Sequence, residues 1–270
     1  MKQICLSVLI LTTLAAQARA ARPNYLTAPR ARRAFKQSES TLKAAFKKRD
    51  LRYPPRRVFI RIFKRERVLE LWSRGRGGAY VKVRDYPVCY ASGSLGPKRR
   101  QGDRQVPEGV YHVNALNPWS SYHLGLGVSY PNRADRKRGR KGKLGGAIMI
   151  HGDCVSIGCV AITDKLIEQV YVAAARATAA GQRRIPIHVF PTRLDKKGMA
   201  WLDRRYTRRT GLQTTWGKLR PWQRRRWDRR RAALLAFWRD LAPIYLHFET
   251  ERKIPRVRIT NRGRYVLVRR

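Results

Sequence analysis

Short runs in which apolar side chains recur at every second position fill most of the chain between residues 57 and 150. Because successive side chains of a strand point to opposite faces of a sheet, this period of two predicts strands, and the Gly, Pro and Asp between the runs predict turns. Strands are expected at residues 58–63, 68–72, 80–83, 88–91, 109–113, 122–128, 147–150 and 185–190. The expected fold is therefore mainly β, a sandwich or barrel-like domain.

Two later segments have the spacing of helices. The first has Thr163 or Asp164 at its N-terminal cap and Gly181 at its end. The second carries an apolar stripe made of Leu234, Trp238, Leu241, Tyr245 and Phe248. We expect this stripe to dock on the β domain rather than on a membrane surface, because Pro243 interrupts it and a hairpin at residues 257–268 follows.

The amino terminus has the composition of a secretory signal peptide. Lys2 precedes a short apolar run at residues 4–11, and the small-residue pattern at residues 18–20 predicts cleavage after Ala20. The apolar run is shorter than the roughly 20 residues that a membrane-spanning helix needs. We therefore expect an exported protein of the periplasm or cell envelope, with no transmembrane segment after cleavage.

The chain is strongly basic. It carries 61 Lys and Arg against 17 Asp and Glu, and removal of Lys2 and Arg19 with the signal peptide lowers the formal charge from +44 to +42. Such a charge favours a polyanionic neighbourhood: anionic envelope polymers, lipopolysaccharide or lipid headgroups, cell-wall carboxylates or nucleic acid. Export argues against specific binding of nucleic acid. A generally basic, solvated surface is an equal alternative.

The reactive side chains are concentrated in residues 147–159. An apolar strand ends at His151, and a loop brings Cys159 back eight positions later. An imidazole beside a thiol supplies the base that a cysteine nucleophile needs, because a free cysteine is mostly protonated near neutral pH. Once the signal peptide is removed, Cys89, Cys154 and Cys159 remain, and this odd number leaves at least one thiol unpaired.

The glycines in this segment have separate roles. Gly152 permits the turn directly after the base, and Gly158 leaves backbone N–H groups near Cys159 available as an oxyanion hole. A third group should orient the second nitrogen of the imidazole. The sequence leaves open whether this group is Asp153 or a backbone carbonyl.

The segment from His151 to Cys159 reads His-Gly-Asp-Cys-Val-Ser-Ile-Gly-Cys, and it resembles the active-site motif of the L,D-transpeptidase catalytic domain family, in the form of its periplasmic murein branch. The likeness covers roughly residues 55 to 268 and includes residues 93–98, 101–109, 121–124, 130–132 and 237–249. It implies that Cys159 takes the acyl group, that His151 is general base and acid, and that the Gly152 carbonyl orients the imidazole. Ile157 and Ala161 differ from the wider family, which often has His, and Arg or Asn, at these positions.

The resemblance also implies the architecture and the activity. The expected order is a signal peptide at 1–20, a lightly ordered basic lead-in with one short helix at 21–54, a catalytic domain at 55–192, and a helical and hairpin extension at 193–270. The implied enzyme transfers acyl groups of peptidoglycan stem peptides through a thioester. The alternatives are a hydrolase of the same family, which cleaves diaminopimelate-linked amides or releases wall-attached protein, and a non-catalytic protein that binds cell wall or lipopolysaccharide.

Other candidates have a structural and a functional interpretation. His123 is either a structural histidine or a substrate-binding residue, and Ser156 and Gly158 are expected next to the substrate. Cys89 and Cys154 are either a disulfide, which suits an exported protein, or two small core residues. A zinc site is disfavoured, because zinc usually takes four well-placed ligands. We predict neither a metal nor a cofactor.

Overall fold

A computed structural model describes residues 24–207 and 220–268. The predicted signal peptide lies outside these residues. The strands of the main sheet are β1 Val58–Phe63, β2 Val68–Arg74, β3 Tyr80–Pro87, β4 Tyr90–Ala91, β5 Gly109–Asn117, β6 Gly125–Val128, β7 Met149–His151, β8 Val160–Ala161 and β9 Pro186–Phe190. They form one mixed sheet in the order β3-β2-β1-β9-β5-β6-β7-β8-β4.

The sheet changes direction along β5. The first part of this strand pairs with β9, and the second part pairs with β6. The register shifts between Val113 and Ala115, and a bulge of this kind bends a strand. The sheet therefore curls around a core to which both of its halves contribute, for example through Ile60 and Ile150. The predicted mainly β, barrel-like fold with appended helices is confirmed.

The helices of the described residues lie around this sheet and after it. They are α1 Asn24–Thr27, α2 Pro29–Lys47, α3 Arg133–Arg138, α4 Asp164–Ala179, α5 Lys196–Thr207 and α6 Pro221–Glu251, and a separate hairpin consists of β10 Val257–Ile259 and β11 Tyr265–Leu267. The prediction of α4 is confirmed. The sequence patterns do not reveal α3, α5 or the two-residue strand β8.

The expectation of a lightly ordered lead-in is wrong for residues 29–47, which form α2. This helix packs against α4. Its buried face contains Ala31, Ala34, Leu42 and Phe46. Arg176 of α4 adds an ion pair with Glu39 at 2.7 Å. The apolar stripe of α2 is hard to recognise in the sequence, because alanine is only weakly hydrophobic and the segment contains many basic residues.

The apolar stripe of α6 docks on the β domain, as predicted, because Trp238, Leu241 and Phe248 are fully buried. The expectation that Pro243 interrupts this helix is wrong, since α6 continues to Glu251. A proline inside a helix removes one backbone hydrogen bond and costs about 3 kcal/mol. Burial of the large side chains on either side of it offsets that cost.

A buried arginine holds the end of α6 over the sheet. The guanidinium of Arg61, on β1, lies 4.8 Å from the ring centre of Phe248 and 5.0 Å from that of Tyr245. Its Nη1 donates to Glu249 at 2.7 Å. Because the arginine is fully buried, its charge depends on this carboxylate, on that of Glu70 at 3.5 Å and on the faces of the rings.

A buried carboxylate holds the middle of α6. Glu108 precedes β5 and is fully buried. It accepts hydrogen bonds from the Trp238 indole N–H at 2.7 Å and from the Gly96 N–H at 2.7 Å, and it lies 3.0 Å from the Lys64 ammonium. One side chain thus joins the main sheet, the loop at residues 92–108 and the C-terminal extension.

Within residues 24–207 and 220–268, no helix combines the length and the apolar character needed to cross a membrane.

Candidate active site

His151 and Cys159 lie on two neighbouring parallel strands. His151 ends β7 and is paired with Ala161 of β8, while Cys159 directly precedes β8. Residues two positions apart on a strand point to the same face. Cys159 therefore shares the face of Ala161 and of His151, beside Met149, whose N–H donates to the Cys159 Sγ at 3.4 Å. The sheet thus places on neighbouring strands, and on one face, the two residues that the sequence separates by eight positions.

The imidazole of His151 is held in one tautomer. Its Nδ1 lies 2.5 Å from the Gly152 carbonyl oxygen. A carbonyl oxygen only accepts, so Nδ1 carries the hydrogen and Nε2 keeps a lone pair for a substrate or thiol proton. The ring of Tyr122 stacks on the imidazole with centres 4.7 Å apart. Tyr122 was not singled out in the sequence, although it lies in the family-like stretch at residues 121–124.

Burial favours the neutral forms of both reactive groups. Burial lowers the pKa of His151 below its ordinary value, although the Gly152 hydrogen bond and the Asp153 charge act in the opposite direction. Burial raises the pKa of the Cys159 thiol, against the Met149 N–H and the Lys98 charge, which lower it. Both shifts favour a neutral thiol and a neutral imidazole near neutral pH.

The loop before Cys159 is held by Ser156. Its hydroxyl donates to the Cys159 carbonyl oxygen at 2.7 Å and accepts the Gly158 N–H at 3.1 Å. Gly158 has a φ of +135°, in a region that other residues rarely adopt. The Gly158 N–H is therefore not free for an oxyanion. Within the described part of the chain, the Cys159 N–H has no hydrogen-bond partner and is the donor that remains available there.

Gly152 is required by close packing. A Cβ on this residue would lie 2.4 Å from the Asp164 Oδ1 and 2.9 Å from the His123 Cβ. The same Asp164 oxygen accepts the Asp153 N–H at 2.8 Å. The first residue of α4 therefore fixes the turn that carries the Gly152 carbonyl, and with it the imidazole. The sequence indicated Asp164 only as a possible helix cap.

His123 lies behind this turn, and its ring bonds to α4. The His123 Nε2 is 2.9 Å from a carboxylate oxygen of Glu168, which also accepts the Ser38 hydroxyl at 2.9 Å. Arg30 of α2 donates to the backbone carbonyl of His123. Neither Glu168 nor Arg30 stands out in the sequence, because each lies on a helix face that looks solvated. The substrate-binding role of His123 stays a prediction.

A disulfide anchors the loop between His151 and Cys159 to the segment of Cys89. Cys89 and Cys154 are bonded, with their Cα atoms 5.6 Å apart. The segment of Cys89 runs along β8, where its N–H donates to the Ala161 carbonyl at 3.0 Å. Cys154 is therefore not a free ligand for a metal, and Cys159 is the free thiol among the described cysteines.

Three comparisons place the chain among known proteins. The model of the YkuD family, described as the L,D-transpeptidase catalytic domain, matches residues 57–189. The protein of Escherichia coli (strain K12) named "Putative L,D-transpeptidase YafK" is 36% identical over 212 residues, which cover 78% of this chain and 73% of that protein.

Two solved structures are also similar. The helical cell shape determining protein Pgp2 from Campylobacter jejuni has a TM-score of 0.40 and 17% identity, over 76% of this chain and 73% of that chain. Bd1075 from Bdellovibrio bacteriovorus has a TM-score of 0.36 and 25% identity, over 50% and 48%. The family match and the identity to YafK confirm the resemblance read from residues 151–159. This chain belongs to the L,D-transpeptidase catalytic domain family.

Proposed function

We propose that the protein is an exported cysteine L,D-transpeptidase that acts on the stem peptides of peptidoglycan. Family membership supports an enzyme of peptidoglycan chemistry. The observation that carries the proposal is the free thiol of Cys159 on the face of the sheet where His151 presents an unprotonated Nε2. The disulfide between Cys89 and Cys154 supports export, because such bonds persist in oxidising compartments.

The first half of the reaction forms a thioester. His151 Nε2 takes the proton of Cys159, and the sulfur attacks the carbonyl carbon of an amide in the stem peptide. The Cys159 N–H donates to the oxygen that becomes negative. When the intermediate collapses, the carbon–nitrogen bond breaks and the imidazolium returns its proton to the leaving amine. The Gly152 carbonyl keeps the imidazole oriented throughout.

The second half decides between transfer and hydrolysis. An amine that loses its proton to His151 and attacks the thioester forms a new amide, restores the thiol and makes the enzyme a transpeptidase. Water that attacks in the same way releases a carboxylic acid and makes the enzyme a hydrolase. Both outcomes use the same acyl-enzyme, so the products distinguish them.

The experiment uses the mature protein and a Cys159→Ala variant, each incubated with purified peptidoglycan that carries covalently attached protein. Products are identified by mass spectrometry. New cross-links or exchanged amino acids that are absent with the variant establish a transpeptidase. Released protein or stem fragments that have gained one water establish the hydrolase. Equal products from both proteins contradict the cysteine mechanism and favour a non-catalytic wall-binding protein.

A further inference from the structure

A groove of about 1020 Å³ lies between the catalytic domain and the C-terminal extension. One wall comes from the loop at residues 95–105 and from the chain after α3. The other wall comes from α6 and from the turn between β10 and β11. Eight arginines and a single acidic residue, Asp103, line it. The groove is thus a place where many of the positive charges of this chain surround one cavity.

Most of these arginines have no counter-charge. Arg138 and Arg264 share the carboxylate of Asp240. Five exposed arginines have guanidinium groups with no hydrogen-bond or ion-pair partner within residues 24–207 and 220–268: Arg100, Arg140, Arg226, Arg230 and Arg262. Asp103 does not neutralise them, because it binds the Lys98 ammonium at 2.6 Å. Like charges gathered around one cavity repel each other and attract a multivalent anion.

The loop that forms one wall of the groove also approaches the segment that carries the reactive thiol. Gln105 lines the groove, and its backbone carbonyl oxygen would lie 3.5 Å from a Cβ on Gly158, the residue before Cys159. Lys98 belongs to the same loop, and its charge is close enough to act on the thiol. A ligand that extends along the groove from Cys159 therefore passes between the two rows of arginines.

The lining of the groove suits a peptide. Leu95, Pro97, Ala233 and Leu234 lie among the arginines, so that aliphatic parts of a chain can pack against them while its anionic groups meet the guanidinium groups. Arginine binds carboxylates in a planar, bidentate geometry. The bond that Cys159 attacks under the proposed function is an amide, so the chain that continues from that bond is a peptide.

We infer that this groove is a binding site for a peptide with two or more free carboxylates, attached to the acyl group that reaches Cys159. The inference rests on the proposed function for the identity of the reacting bond. It also gives the C-terminal extension a role in specificity, because Arg226 and Arg230 of α6 select substrates by the charge of their peptide. A neutral peptide of the same length would lose this contribution.

The test exploits two pairs of arginines on one helix. The groove variant is Arg226→Gln with Arg230→Gln. The matched control is Arg225→Gln with Arg229→Gln, a pair that is also exposed but does not line the groove. Both variants lose two positive charges from the same exposed part of α6. Each is made in the full mature chain, with Cys159→Ala where binding without turnover is measured.

The probe is a soluble disaccharide-peptide released from peptidoglycan, with its carboxylates free or converted to amides. We expect the groove variant to bind the free-acid probe about tenfold more weakly at low salt, as two lost arginine–carboxylate pairs predict. The control should stay within about twofold, and added salt should narrow the difference. The wild-type chain, the groove variant and the control variant should bind the amidated probe with equal affinity. Calorimetric titration gives these affinities.

Several outcomes would overturn the inference. Equal weakening in the groove variant and the control indicates attraction by overall charge. Groove-dependent binding of phosphatidylglycerol vesicles, without groove-dependent binding of the peptide, indicates a membrane site. The proposed function is tested separately. If the groove variant loses affinity but the wild-type chain has no turnover, the binding site is supported and the proposed activity is contradicted. If the wild-type chain converts the substrate and the groove variant has the same KM, the binding site is contradicted and the proposed activity is supported.

Discussion

Replacement of Glu108 by alanine removes the carboxylate that joins the sheet, the loop beside Cys159 and α6. The change leaves the ammonium of Lys64, a side chain with 5% exposure, without its counter-charge. Removal of one partner of a buried ion pair typically destabilises a protein by about 3–5 kcal/mol. Lys64 also donates to the carbonyls of Gly96 and Val106 at 2.9 and 3.0 Å. These bonds remain, but the buried N–H groups of Trp238 and Gly96 also lose their acceptor, so we expect a loss of at least about 3 kcal/mol.

Urea unfolding of the mature chain measures this loss as a lower midpoint with an unchanged slope. The control is Glu251→Ala, which removes an equal charge at an exposed position of α6. It should change the unfolding free energy by less than about 0.5 kcal/mol. Adding Lys64→Met to Glu108→Ala should recover part of the loss, because it removes the uncompensated charge. A loss below about 1 kcal/mol, or no recovery in the double variant, would refute this account of how the extension is held.

Four further predictions concern the site itself. Gly152→Ala should lower kcat/KM at least about a hundredfold, because a Cβ 2.4 Å from the Asp164 carboxylate displaces the carbonyl that orients His151; a wild-type rate would contradict this. Alkylation of Cys159 by iodoacetamide should become fast only above the pH at which an ordinary thiol ionises, because burial raises the pKa of Cys159. The acidic limb of the pH profile of kcat/KM should lie below the ordinary pKa of histidine, because burial lowers the pKa of His151. Cys154→Ser opens a loop of 65 residues and should lower the free energy of unfolding by about 4 kcal/mol, and an unchanged denaturation midpoint would argue against this disulfide.

The sheet and the position of His151 at the end of a strand could be predicted, because both depend on short stretches of sequence. A period of two in the apolar residues identifies strands, and the strand before His151 fixes which face the imidazole takes. β8 escapes prediction because a strand of two residues, Val160–Ala161, contains no period. Its position depends on pairing with β7, across the loop between His151 and Cys159, and with β4, which is distant in sequence.

The surroundings of the pair could not be predicted, because they come from helices with no local signal of a partner. Glu168 and Arg30 have the composition of solvated faces, yet the packing of α2 on α4 brings both to His123. The continuation of α6 past Pro243 could not be predicted for the same reason. The burial of Trp238 and Phe248 in tertiary contacts offsets the free-energy cost of the proline. The groove joins residues from four separate parts of the chain and is visible only after folding.

The acyl-enzyme is the central intermediate of the proposed mechanism, and mass spectrometry of the protein observes it directly. The mature protein is mixed with a stem-peptide donor, quenched in acid and digested, and the Cys159 peptide is examined. We predict an added mass equal to the acyl part of the donor, located on Cys159, removed by hydroxylamine and absent from Cys159→Ala. Turnover of the donor that persists in Cys159→Ala, or an adduct on another residue, would contradict the account.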